Sequence, residues 1–519
     1  MEILRTGYQG FGSFHTENVQ ELVSIPAEAY SPPPLPFSLD DIWAEYGDLS
    51  TMPLGLAGRN DTLRSQKSRF ERSQRDTAPH SCSALAARKL FLIDFGDWTF
   101  VNHGAFGGTA AVPLAESDRW RRHAERQPLR FIDRELFYQV VRVIREAAAW
   151  VHCAPRDLVL TPNATTGLNA VIRSVIKGPE DGCYMLGIGY GSVKKMFQLL
   201  AEEVGAPLTI AEVSLPANNE EILALVDRTL PRGTRLACFD AVTSNTAVML
   251  PIRRAGVFFA VPPPPLLRQT DLHRPDLQGA GGSLPLEGRA GADRRGTRPG
   301  HAPGGPAAAG EKRPLSRKVQ ARSYPQCSCV GMQDADYFVS NCHKWLNAPR
   351  GSALLYCRRE LQGAIQPPII SHGIGAGFTS DFIWDGCRDY SSMLAVSSSI
   401  ELLRRLGPER VYRYQRDLLA QATTLLTTRW GTRTLVPLDQ CGAMALVLLP
   451  RRTWPADRAE ASSTDAKYVQ DMLHFGHRIE CPVKCIQGNL YVRISAHTYN
   501  VLEDYERLAA AIVGMPPAG

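Results

Sequence analysis

The chain has 519 residues, of which 44% are hydrophobic and 21% charged, and its net charge is +6 at neutral pH. That composition suits a globular protein with a large core; the basic residues are scattered and no nucleic-acid motif accompanies them, so no nucleic acid is expected as a partner. No apolar run reaches the ~20 residues that span a bilayer, and the opening MEILRTGYQG lacks the apolar stretch of a secretory signal. A cytoplasmic protein with no membrane partner is therefore expected. Its 12 cysteines do not fall into paired metal-ligand spacings, which predicts free, mostly buried thiols and no metal.

Residues 1–88 read as an N-terminal extension, largely disordered. The run SPPPLPF (31–37) cannot continue a helix, because each proline fixes φ and lacks an N–H. The stretch 59–75 is polar and basic without apolar periodicity. From about residue 90 the pattern alternates. Helices are predicted over Arg134–Val151, Gly191–Glu203 and Asn219–Leu230, and strands over Asp181–Ile188, Pro207–Val213 and Thr234–Phe239. Such alternation predicts right-handed crossovers and a mostly parallel sheet. A large domain is assigned to 89–380, interrupted at 254–333 by a stretch rich in proline, glycine and arginine without periodic apolar pattern. A strand over Tyr337–Ser340 follows it. A smaller α+β domain is assigned to 381–519, with helices over Ser392–Leu406, Pro408–Trp430 and Leu502–Val513 and strands over Ala443–Leu449 and Leu490–Ile494.

The most specific run is DADYFVSNCHKWLNAPRGSALLYC (334–357), in which a strand ends at Asn341-Cys342-His343-Lys344 and a turn with Pro349 and Gly351 precedes a second strand. A lysine displayed at a strand end suits Schiff-base chemistry, since burial and cationic neighbours lower its pKa. This run resembles the lysine motif of the class V aminotransferases, in the branch of isopenicillin N epimerase-like proteins and relatives of cysteine desulfurases. Further matches fall in the same order: FVNHGAFGG (100–108), RQPLRFIDRE (126–135), TPNATTGLNAV (161–171), GYGSVKK (189–195), VTSNTAV (242–248), SHG (371–373), FIWDGCRDYSS (382–392) and RISAHTYN (493–500).

The resemblance implies a pyridoxal 5′-phosphate (PLP) dependent enzyme of fold type I. Its large domain would hold a mostly parallel seven-stranded sheet between helices, with a smaller α+β C-terminal domain, in a homodimer. Lys344 would carry PLP and His343 stand beside it as a catalytic neighbour. Ala164, Thr165 and Thr166 would open a helix whose free N–H groups hold the phosphate. Tyr190 would stack on the cofactor, Asn245 and Asn341 would face it, and Asn102 and His103 would lie at the substrate. Arg493 would grip the carboxylate of a small amino-acid substrate with its planar fork. The implied reaction is at the α-carbon: a C–S lyase of the cysteine desulfhydrase kind or an epimerase, with transamination as a further alternative. A persulfide-forming desulfurase is disfavoured, because ECPVKC (480–485) does not resemble its mobile cysteine loop.

Two departures stand out. The family's carboxylate for the pyridine nitrogen lies in an Asp-Gly-Ala-His-like run that this chain lacks. Residues Ala292–Arg298 can be encoded so that dropping one base yields Leu-Ile-Asp-Gly-Ala-His. Residues 254–333 therefore read either as intron and out-of-frame exon or as a genuine insertion, and the absent carboxylate makes a non-catalytic or defective relative the alternative to an enzyme. Cys387 occupies a place where related enzymes carry a threonine that donates to the partner subunit's phosphate, and a thiol is the weaker donor.

Overall fold

Short apolar runs bounded by turns build the strands, and the amphipathic stretches between them build the helices. A computed structural model of the protein describes residues 19–54, 86–251 and 335–516. In chain order the strands are β1 (Thr99–Phe100), β2 (Leu158–Thr161), β3 (Gly182–Leu186), β4 (Leu208–Ala211), β5 (Thr234–Cys238), β6 (Tyr337–Asn341), β7 (Ala353–Cys357), β8 (Met444–Leu448), β9 (Ile479–Glu480), β10 (Val483–Ile486) and β11 (Asn489–Ser495). The longer helices are α1 (Ala111–Arg126), α2 (Leu136–Trp150), α3 (Ala164–Val175), α4 (Gly191–Val204), α5 (Asn219–Thr229), α6 (Val396–Leu406), α7 (Pro408–Trp430), α8 (Ser463–Asp471) and α9 (Leu502–Gly514).

Strands β4-β3-β5 form a parallel sheet, and β2-β7-β6 form a second in which β7 runs against both neighbours. Strands β2, β3 and β7 are buried along their whole length, as near-continuous apolar runs should be. Both sheets contribute to one apolar core around Val159, Met185, Phe197 and Leu355, and α3 packs across β2, β5, β6 and β7. Six strands are thus described in two three-stranded sheets. The shifted-frame Leu-Ile-Asp-Gly-Ala-His strand and the whole 254–333 stretch lie outside the described residues.

Local sequence explains the boundaries. Asn163 caps α3 by accepting from the Thr166 N–H at 2.9 Å, and Asn218 with Glu221 forms a capping box on α5. Helix α4 stops at Gly205, whose φ of +73° few other residues adopt. The helix predicted over Ser392–Leu406 is broken at Ala395 into a short turn and α6. The Ser398 and Ser399 hydroxyls both donate to the Ala395 carbonyl at 3.2 Å, an alternative to regular helical pairing.

The expectation of a loose N-terminal extension is corrected for residues 19–54. Val19, Val23 and Leu49 are at most 2% exposed, Arg119 binds Asp41 and the Ser38 carbonyl, and Arg145 lies 3.9 Å over the Tyr30 ring. The prolines of 31–37 exclude a helix but not an extended strap held by such contacts. The polar stretch 59–75 lies outside the described residues.

Toward the C-terminus, β10-β11-β8 form an antiparallel sheet with α7 packed on β8 and α9 packed on α7. Strand β1 pairs in parallel with β9, and the Ser495 N–H donates to the Val101 carbonyl at 2.8 Å. This pairing brings residues 99–102 against Arg493 although nearly 400 positions separate them.

Candidate active site

Strand β6 ends at Asn341, and the chain turns through Cys342-His343-Lys344 before β7. Asn341 Oδ1 accepts the Ala164 N–H at 2.8 Å, which ties the start of α3 to the lysine turn. The Lys344 carbonyl accepts from Asn347 N–H at 3.1 Å and lies 3.0 Å from His103 Nε2. A carbonyl only accepts, so His103 carries its proton on Nε2 and its Nδ1 receives the Tyr499 hydroxyl at 2.7 Å. Burial pushes the His103 pKa down to about 3, and the ring stacks on His497 at 3.9 Å between centroids. His103 therefore fixes the lysine backbone as a neutral imidazole and does not present a free nitrogen to substrate.

This buried pair makes an acid-labile joint. Below an unfolded pKa near 6.5, the unfolded chain takes up a proton that His103 in the folded chain refuses until about pH 3. Stability contributed by the neutral ring is present above pH 6.5 and lost through that interval, by up to about 1.4 kcal/mol per pH unit for each such histidine. Chemical denaturation at pH 7 and pH 5 should show this loss in wild type and a smaller one in His103→Gln. Equal pH slopes in the two proteins would refute the assignment.

The Asn102–Gly108 turn presses against the lysine turn. Gly107 has φ +71°, and a Cβ there would stand 1.9 Å from the His343 carbonyl oxygen. Arg350 Nη2 donates to the Gly107 carbonyl at 3.1 Å. Both the backbone conformation and the contact require glycine. Gly107→Ala should cost at least ~1–3 kcal/mol of stability, read as a lower urea midpoint; an unchanged midpoint would mean the two turns are not packed as described.

Around Lys344 stand one cation and one carboxylate. Burial and the nearby Arg493 lower the lysine's pKa, and Asp240 opposes them. Arg493 on β11 is 3% exposed. Its Nη2 donates to Asn102 Oδ1 at 3.0 Å, its Nη1 to the Ser244 carbonyl, and its Nε has no partner among the described residues. Asn102 Nδ2 in turn donates to Glu480 Oε1 at 3.1 Å. Arg493 forms no ion pair with any described carboxylate, so its charge is buried against neutral oxygens alone.

The structure arranges the remaining residues singled out by sequence unevenly. Tyr190 stands immediately before α4 and is 45% exposed. Of the proposed phosphate residues, the Ala164 N–H is taken by Asn341 and both Thr166 donors by Asn163. Thr165 is exposed and makes no described hydrogen bond through its N–H or hydroxyl. Asn245 is exposed; its neighbour Ser244 supplies the contact to Arg493. The His343 imidazole is pushed down to about 4, mainly by burial, and its Nδ1 is buried without a partner. Cys387 is an exposed free thiol. Asp240, Ser244, His497 and Tyr499 were not singled out by sequence. An acidic residue directly after a predicted strand was the available signal for Asp240, because ligands in α/β sheets gather at the carboxyl ends of strands.

Four buried polar atoms around the lysine thus lack partners among the described residues: Asp240 Oδ2, His343 Nδ1, Asn347 Oδ1 and Arg493 Nε. With the Lys344 amine and the free donors of Thr165, this set fits PLP and an amino acid: an amine for the aldehyde, donors for a phosphate, and a guanidinium for a carboxylate. A cavity of about 280 Å³ lies further along, lined by His474, Phe475, Glu480 and Cys481, and meets the site through the Glu480–Asn102–Arg493 chain. Among the described residues no helix is long and apolar enough to cross a membrane.

The chain has the class V aminotransferase fold, that of the PLP-dependent enzymes of fold type I. A C-DES variant with glycine covalently linked to its PLP cofactor superposes with a TM-score of 0.59 at 15% identity, over 83% of this chain and 99% of that one. No family model matches the sequence. The chain is 26% identical to a probable chloroplastic L-cysteine desulfhydrase of Arabidopsis thaliana, covering 88% of this chain and 91% of that protein. It is 24% identical to isopenicillin N epimerase of Amycolatopsis lactamdurans, covering 74% and 87% respectively.

Proposed function

We propose that the protein is a PLP-dependent C–S lyase acting on cysteine or a close analogue, with Lys344 as the cofactor-bearing lysine. The single observation that carries the substrate class is Arg493, a buried guanidinium with only neutral partners, placed where it lowers the pKa of Lys344. A buried charge without a counter-ion is costly, and a substrate carboxylate would relieve it. PLP, when bound, supplies the electron sink that makes an α-proton removable.

The chain's own residues do the rest. Arg493 holds the carboxylate with the Asn102 amide bracing its fork. The Lys344 amine, whose pKa burial and Arg493 lower, can take the α-proton. His103 keeps the lysine backbone in place. Thr165 offers its free donors to the phosphate, and Tyr190 offers a ring face. Elimination from cysteine with one water gives sulfide, ammonia and pyruvate.

The likeness to a desulfhydrase across most of both chains favours elimination; the likeness to an isopenicillin N epimerase favours α-epimerisation as the second reading. Persulfide transfer is disfavoured by the cysteines near Arg493. Cys481 is 1% exposed, and burial holds its thiol far above the ordinary range, which suppresses the nucleophilic thiolate. Cys485→Ala should therefore retain sulfide release to within about twofold, and a loss beyond about tenfold would point to a transferring thiol. The domain division at 380/381, a cytoplasmic location and a homodimer with Cys387 facing the partner's site belong to the same proposal. Light scattering tests the last.

The deciding experiment incubates the full chain with PLP and L-cysteine and measures sulfide and pyruvate. Equimolar release supports the lyase. D-cysteine formation without sulfide would transfer the proposal to the epimerase, and no PLP uptake would end both.

A further inference from the structure

The sequence offers no carboxylate for the cofactor ring at the family's spacing before Lys344, yet the fold brings one to the site from elsewhere. Asp240 lies two residues past the end of β5 and Lys344 three past the end of β6, strands whose outer edges are unpaired among the described residues. The two residues are 104 positions apart, and each sits within the other's electrostatic field.

The Asp240 side chain is held but not satisfied. Backbone N–H groups of Tyr190 and Ser244 favour its charged form, so the residue lies near the proposed ring-stacking tyrosine and the residue whose carbonyl holds Arg493. Its Oδ2 is buried and has no partner among the described residues, and no described arginine, lysine or histidine forms a salt bridge with it. Burial pushes its pKa up to about 6, against the pull of Lys344. A buried carboxylate oxygen with no donor costs roughly 1–3 kcal/mol, and a ligand with a cationic N–H at this place recovers that cost.

We infer that Asp240 pairs with the protonated ring nitrogen of PLP, taking the part for which the sequence between β5 and β6 offers no described residue. This rests on the PLP reading above and deepens it. The unpartnered Oδ2 is free to accept, and the ring N–H is the cationic donor of the cofactor, whereas its 3-hydroxyl is neutral or anionic. A carboxylate on that nitrogen keeps the ring protonated and hence the stronger electron sink.

The test measures binding of PLP and of 1-deaza-PLP, in which a C–H replaces the ring nitrogen, to wild type, Asp240→Asn and Asp240→Glu, using the quenching of tryptophan fluorescence. Wild type should prefer PLP by about 10- to 100-fold, the scale of one charge-assisted hydrogen bond. Asp240→Asn should lose most of that preference while binding the deaza analogue as wild type does, and Asp240→Glu should recover part of it. A merely structural aspartate would weaken both ligands alike, so a preference unchanged in Asp240→Asn overturns the inference while leaving the Lys344 reading intact. Failure of wild type to bind either ligand overturns both.

Discussion

Lys344→Ala mixed with PLP is expected to show no visible absorbance band, whereas wild type acquires one, and its rate of sulfide release should fall by at least ~10²–10⁴-fold, the contribution of a positioned proton acceptor. The reasoning starts from the local fold. Lys344 owes its place to three backbone restraints that do not involve its side chain: Asn341 on the start of α3, His103 on its carbonyl, and Asn347 closing the turn. Truncating the amine leaves all three. The charge is also disfavoured on balance in the folded protein, where burial and Arg493 outweigh Asp240. The depressed pKa means that protonation near neutrality costs folded stability, and the cost eases only as pH rises toward the unfolded value. Lys344→Ala should therefore melt at or slightly above the wild-type temperature, as is common when a catalytic group is removed. A colourless protein with unchanged stability separates lost chemistry from lost structure; a variant that keeps both the band and the activity would remove Lys344 from the mechanism.

How much of this was legible in advance depends on what kind of signal each residue sends. Strands β3, β4, β5, β8 and β11 and helices α2, α4, α5, α7 and α9 fall within a few positions of their predicted ranges, because burial on a sheet or along a helix face imposes a period on the sequence itself. Helix α1 was not anticipated: its buried face mixes Val112 and Trp120 with Glu116 and Ser117, so the apolar period is interrupted by polar groups that find partners. Trp120 Nε1 donates to Glu116 at 3.1 Å, and Ser117 bonds Ser391 at 2.9 Å. Pairs of that kind depend on tertiary neighbours and leave no local trace.

The site shows the same division. Lys344 and Arg493 carry short motifs and could be named from the chain alone. Asp240 sends only a weak signal, an acidic residue directly after a predicted strand, and its nearness to Lys344 comes from the tertiary fold. Ala164 and Thr166 were named for the right reason, free donors at a helix start, yet Asn341 and Asn163 occupy those donors. The choice between capping and ligand binding is made by which side chain arrives first.

Removing the guanidinium at Arg493 tests the other half of the site and should have the larger effect on substrate recognition. Arg493→Ala deletes a fork whose two amino groups are already aimed by Asn102 and Ser244 and whose Nε remains unspent. A preorganised, buried guanidinium meeting a carboxylate is worth about 2–4 kcal/mol when one partner is removed, so KM for cysteine should rise roughly 30- to 1000-fold. Uniform binding of ground and transition states would leave kcat nearly unchanged. Arg493 contributes more than binding, however. It is one of the two influences that hold the Lys344 pKa down, so its loss should move the alkaline-side gain in kcat to higher pH. Arg493→Lys discriminates the two roles. It keeps a positive charge near Lys344 and so the pH profile, but it loses the planar fork, and KM should remain elevated by about tenfold or more. If the lysine variant matched wild type in both parameters, the carboxylate would have to be held elsewhere; if the alanine variant raised KM without shifting the pH profile, Arg493 would bind substrate without tuning Lys344.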